Sequence, residues 1–128
     1  MLPMTASQPG SRRRAPRLSV ERPGRLKGRL PHAITVIDLS LTGCLARCGT
    51  LLKAGAILDF EMDLDDGPLS AKVRVADASV DGAAAVDHDH GCLAGLEFLG
   101  LLPREDARLR RFLDEERRRR RSADASPR

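Results

Sequence analysis

The chain has 128 residues, 41% hydrophobic, 31% charged and only 2% aromatic, with a formal net charge of +4. That composition suits one soluble domain with tails, large enough to bury roughly two-thirds of its unfolded-chain surface. Its apolar runs fall far short of the ~20 residues that span a bilayer, and no N-terminal stretch reads as a signal peptide, so a cytoplasmic location without membrane insertion is expected.

The positive charge is uneven. Arg12, Arg13, Arg14 and Arg17 lie near one end and residues 117–121, all arginine, near the other, while Asp59, Glu61, Asp63, Asp65 and Asp66 crowd the middle. A basic patch on an otherwise balanced domain points to an anionic partner. Phe60, Phe98 and Phe112 are the only aromatics, too few to stack successive bases, so nucleic acid is not the expected partner.

Residues 1–10, with Pro, Ser, Gln and Gly, read as a disordered lead. An arginine arm over 11–17 follows, and Pro16 biases Ala15 toward extended backbone. Polar–apolar alternation begins at Arg17-Leu18-Ser19-Val20-Glu21, is interrupted by Pro23-Gly24 as at a bulge or an edge, and resumes at Arg25-Leu26-Lys27. A turn at Pro31-His32 leads to a second strand over about 33–39, and a third covers about 44–48. Residues 56–64 set Ile57, Phe60, Met62 and Leu64 against Asp59, Glu61 and Asp63, the pattern of a half-buried strand.

Asp65-Asp66-Gly67-Pro68 reads as a hairpin turn, followed by a fifth strand over 69–76 with Leu69, Ala71, Val73 and Val75 on one face. A loop over 79–91 precedes a last strand over 92–101. Pro103 opens a helix where its missing N–H costs nothing, and Leu109, Phe112 and Leu113 form its apolar stripe. The helix is assigned to 103–116 and a basic C-terminal tail to 117–128. The acid-to-base spacings Asp114–Arg118, Glu115–Arg119 and Glu116–Arg120 make the arginine run the solvated end of that helix, with an anion-binding tail as the alternative. Six short strands and one terminal helix predict an all-β fold with one C-terminal helix, an antiparallel barrel closed by that helix.

Cys44, Cys48 and Cys92 make an odd count without a CxxC pair. Cys44 and Cys48 share a strand face and read as small buried apolar residues. A zinc site built with His88 and His90 is the sharper alternative, but those histidines fall in an Asp- and Gly-rich loop that does not hold ligands tightly. No metal and no cofactor are expected. Catalysis is not expected either, because Ser40 has no assignable base and His32, His88 and His90 lack a triad context.

Two stretches carry the chemistry. Ile34-Thr35-Val36-Ile37 runs into Asp38-Leu39-Ser40-Leu41-Thr42-Gly43, after which apolar residues resume at Cys44-Leu45-Ala46: strand, polar corner, strand. Taken alone the corner is a well-made turn. Upstream, Arg13 and Arg17 stand four apart with Arg12 and Arg14 beside them. An arginine fork pairs with phosphate oxygens and with the O6/N7 edge of guanine. A carboxylate such as that of Asp38 only accepts hydrogen bonds, which suits the N1–H and N2–H₂ donor edge of guanine. Ser40 can donate to a phosphate or orient the turn, and Gly43 permits a close approach. Together these residues fit an anionic guanine nucleotide.

Arg13-x-x-x-Arg17, followed twenty-one residues later by Asp38-x-Ser40-x-x-Gly43, resembles the PilZ domain family. Gly95-Leu96-Glu97-Phe98 in the last strand and the Pro103-led helix also fall where that family has them, so the likeness covers about 12–113, within a domain spanning 11–116. The resemblance implies a six-stranded antiparallel β-barrel that binds cyclic diguanylate, a bacterial second messenger. It implies that Arg13 and Arg17 hold bases and phosphates, with Asp38, Ser40 and Gly43 lining the other side. It also implies that Arg12 goes with a self-intercalated ligand dimer.

With few accessory segments, the chain is expected to carry no output domain and to signal through a protein partner, its arm ordering over the barrel when ligand binds. Two other readings stay open. One is a basic module that binds polyanions with steep salt dependence; the other is a structural PilZ-like subunit that does not bind the nucleotide.

Overall fold

The computed structural model describes residues 16–80 and 91–125. Six strands precede one helix: β1 (Leu18–Lys27), β2 (Pro31–Leu39), β3 (Gly43–Cys48), β4 (Ile57–Leu64), β5 (Gly67–Val80), β6 (Cys92–Phe98) and α1 (Pro103–Ala125). The strands close into a barrel in the order β1-β2-β3-β6-β5-β4, with every neighbouring pair antiparallel and β4 pairing back onto β1. Closure satisfies backbone groups that an open sheet would leave at its edges. The expected fold class is therefore the observed one.

Period-two alternation delivers the barrel interior. Leu26, Val36, Phe60, Met62, Leu69, Val73, Val75 and Ala94 are fully buried, and Leu109, Phe112 and Leu113 of α1 join the same cluster. The Phe60 and Phe98 rings meet edge to face with centroids 5.5 Å apart, the arrangement their quadrupoles favour. In β4 the buried phase is Phe60, Met62 and Leu64, with Leu58 half-buried. Ile57 was expected on that face but is one residue out of phase, and it is 59% exposed.

Pro23-Gly24 does not interrupt β1, which is continuous from Leu18 to Lys27 and has no edge in a closed barrel. The irregularity falls just upstream, between Ser19 and Arg22 against β2. Gly24 is where β4 comes closest, since a Cβ there would lie 2.6 Å from the Glu61 carbonyl oxygen. β5 also runs past its expected end at 76, to Val80, because its last residues pair with the start of β6 as far as Val80 against Cys92.

The helix runs past its assigned bound at 116. It continues to Ala125, so residues 117–121 are helical, in keeping with their acid-to-base spacing, and no basic residue falls in its last turn. Acid–base pairs stitch the added turns: Asp114 with Arg117 at 3.8 Å, and Glu116 with Arg119 at 2.6 Å and Arg120 at 3.8 Å. Of the three expected spacings only Glu116–Arg120 forms among these contacts, and Arg119 turns instead to Glu116.

Two arginines dock the helix. Arg108, 14% exposed, reaches the β4–β5 hairpin, donating to Asp66 Oδ1 at 2.7 Å and to the carbonyls of Gly67 and Pro68 at 3.0 and 2.9 Å. Its hydrogen bonds hold the Asp66 carboxyl below the usual carboxylate range. Arg22 of β1 lies over the Phe112 ring, 5.0 Å from its centroid, and 3.7 Å from Glu116.

Candidate functional site

Asp38 owes its position to a bulge. Ile34 and Val36 point into the barrel, and uninterrupted alternation would send residue 38 the same way. Ile37 is instead the extra residue where the β2–β3 register shifts, between Val36 and Asp38. Leu39 thereby takes the inward position, fully buried, and Asp38 is left at the barrel wall. Re-aiming a side chain is what such an insertion does.

Across the β1–β2 ladder Asp38 faces Ser19. Arg17, two residues before Ser19, is thus the diagonal neighbour of Asp38, and its Nη1 lies 3.3 Å from Asp38 Oδ2. The Arg17 side chain is 61% exposed and that of Asp38 24%. A pair this open is worth only about 0–1 kcal/mol, so a ligand can separate it at little cost. The other oxygen, Asp38 Oδ1, is buried and has no hydrogen-bond partner among the described residues. A buried acceptor left unpaired costs about 1–3 kcal/mol, a standing incentive for a donor to dock there.

Ser40 closes the corner. Its amide donates to the Gly43 carbonyl at 2.9 Å, and its hydroxyl accepts from the Thr42 amide at 3.2 Å and donates to the Gly43 carbonyl at 3.3 Å. Of the two roles foreseen for Ser40, the geometry shows the turn-orienting one. The Phe98 amide, donating to the Thr42 carbonyl at 2.9 Å, ties this corner to the end of β6. Gly43 has a close neighbour within the protein: a Cβ there would collide with the Leu96 carbonyl oxygen. The glycine lets β6 approach β3.

Arg12, Arg13, His88 and His90 lie outside the described residues. Among the described residues, no cluster of three or more His, Cys, Asp or Glu is arranged to hold a metal. Cys44, Cys48 and Cys92 are free and buried. None of the described candidate site residues lines the groove of about 770 Å³ between β1, β4 and β5. The Arg17–Asp38 pair stands on open barrel surface.

Cys44 sits behind that pair, opposite Leu39 in the ladder. Burial pushes its thiol up to about 12, an effect that nearby Arg17 opposes and Asp38 reinforces. Native protein at pH 8 should therefore resist alkylation at Cys44, while urea-unfolded protein reacts. Peptide mapping after iodoacetamide treatment measures this, and equal labelling of both states contradicts it. The raised value favours the folded state below the unfolded thiol's pKa near 9.0. That contribution fades as pH climbs from there toward 12.

A contact invisible to sequence reasoning joins this region to the helix. Arg117 Nη2 donates to the Pro16 carbonyl at 3.3 Å, across 101 residues. Nothing in local spacing announces it, since the run 117–121 reads as a solvated helix end.

The PilZ domain model matches residues 11–115. The chain belongs to the PilZ domain family. Among solved structures, the PilZ domain with c-di-GMP of YcgR from Escherichia coli shares 22% identity at a TM-score of 0.68, covering 90% of this chain and 99% of that one. YcgR in complex with c-di-GMP from the same organism gives 23% and 0.67 over 88% of this chain. The K. pneumonia MrkH–c-di-GMP complex gives 19% and 0.65 over 84%. This PilZ chain spans 50% of that YcgR chain and 54% of MrkH. At these identities the structural likeness establishes the fold. No curated protein matches the chain. Among the described residues no helix is long and apolar enough to cross a membrane.

Proposed function

We propose that this PilZ domain is a receptor for cyclic diguanylate, a binding protein rather than an enzyme, acting in the cytoplasm by presenting a changed surface to a partner protein. One observation carries the reading: among the described residues, the buried carboxylate oxygen Asp38 Oδ1 has no partner, and beside it Arg17 is held by a largely exposed ion pair. The N1–H and N2–H₂ edge of guanine supplies the donors that oxygen lacks. Arg17, once released, offers its fork to a phosphate or to the O6/N7 edge of a guanine. Arg12 and Arg13 add cations from the arm, and Ser40 and Gly43 keep the corner beneath Asp38 in shape. The c-di-GMP bound by YcgR and MrkH supports the same ligand class here. Ordering of the arm across the barrel then changes the face a partner meets.

Generic polyanion binding needs the arginines but has no use for Asp38, and this separates the two readings. Calorimetric titration of the full chain with cyclic diguanylate, against GMP and cyclic diadenylate, is the test. The expected result is saturable binding of cyclic diguanylate alone, with only modest salt dependence. Equal affinity for all three ligands, collapsing with salt, rejects the receptor reading in favour of the polyanion one.

A further inference from the structure

Beyond the motif residues, the geometry points to Arg117 as a positioning residue of the nucleotide site, acting on the base of the arginine arm. The inference rests on the reading that this site binds cyclic diguanylate. The Pro16 carbonyl, to which Arg117 Nη2 donates at 3.3 Å, belongs to the peptide unit joining Pro16 to Arg17. That unit is planar, so holding its oxygen fixes one side of the Arg17 backbone and the direction in which the Arg17 side chain leaves it. Proline also restricts the backbone here to φ near −65°. Arg17 is thereby presented toward Asp38, its partner at 3.3 Å.

What places Arg117 is independent of the arm. Leu109, Phe112 and Leu113 bury the first half of α1 in the barrel cluster. One turn on, Arg22 from β1 spans the Phe112 ring and Glu116, and Arg119 lies 3.9 Å from Asp65. Over residues 117–123 the helix buries no apolar side chain. Its later turns are held to the barrel by charge and hydrogen bonds, with Asp114 steadying Arg117 from the preceding turn at 3.8 Å. Removing the Arg117 guanidinium therefore leaves the core intact and releases only the arm's base. A receptor whose arm is already aimed spends less ordering entropy on binding.

The test compares Arg117→Ala, Arg117→Lys and Arg118→Ala in the full chain. Arg118 is the control: it is exposed, removes the same charge one residue away, and has no ion pair among the described residues. Amide hydrogen exchange at Arg17 and Leu18 without nucleotide should accelerate in Arg117→Ala and stay as wild type in Arg118→Ala. Cyclic diguanylate binding should weaken about three- to tenfold in Arg117→Ala, the loss of one partly exposed charge-assisted hydrogen bond. Arg117→Lys keeps the charge and a donor and should recover most of both. Equal effects in Arg117→Ala and Arg118→Ala mean long-range charge rather than positioning and overturn the proposal. So does a wild type that binds with Arg117→Ala indistinguishable from it. A wild type that binds no nucleotide overturns the functional reading and this proposal together.

Discussion

Asp38→Ala is expected to weaken cyclic diguanylate binding by about ten- to a hundredfold, corresponding to the roughly 1–3 kcal/mol of a good bidentate contact to a base. The folded domain should nevertheless be no less stable than wild type. The substitution removes a buried oxygen that has no partner among the described residues, relieving a desolvation cost of about 1–3 kcal/mol. Among the described residues it gives up only the largely exposed pair with Arg17, worth about 0–1 kcal/mol. Most substitutions that abolish an activity also loosen a fold; here the two should move apart. Urea denaturation beside calorimetric titration reads both. A variant that binds normally yet unfolds at lower urea identifies Asp38 as a structural residue, and the receptor reading then loses its main support.

The second large effect concerns Gly43. Alanine there drives a methyl group into the Leu96 carbonyl oxygen, with the Leu96 carbonyl carbon and the Glu97 Cα at 3.1 and 3.2 Å. The obstacle is backbone on a paired strand, so it cannot swing aside as a side-chain tip would. β3 and β6 must part at the Gly43–Glu97 rung, and forced overpacking of this kind costs about 1–3 kcal/mol. The same rung anchors the Ser40–Gly43 corner, whose Thr42 carbonyl accepts from the Phe98 amide. Gly43→Ala should therefore lose stability and nucleotide affinity together, the opposite signature to Asp38→Ala. Unchanged stability with lost binding would instead place the ligand itself against Gly43, as the motif alone suggests.

The two substitutions show why the site was only half legible beforehand. Residue types and spacing brought Arg17, Asp38, Ser40 and Gly43 to notice, because a donor-poor carboxylate, a turn hydroxyl and a small residue announce their chemistry locally. Their individual tasks were less visible. Ser40 has its hydroxyl engaged inside the corner, and Gly43 answers to a strand more than fifty residues away in the chain. The helix's last residue was hidden for a related reason: an arginine run has no apolar stripe to mark its extent. Its continuation depends on Glu116, which also meets Arg22 of β1.

Sequence alone determined the all-β class, the strands, the hairpin at Asp65-Asp66-Gly67-Pro68 and the Pro103-led helix, since alternation, turn chemistry and helix-start rules act over a few residues. The motif spacing likewise carried the family. Tertiary structure decided what depends on register. The bulge at Ile37 turns Asp38 out of the core, and a one-residue insertion reverses which face every later side chain takes. The meeting of β3 with β6 gives Gly43 its necessity, and the docking of α1 brings Arg117 to Pro16. These follow from how distant strands and the helix come together, and no local run of residues encodes that.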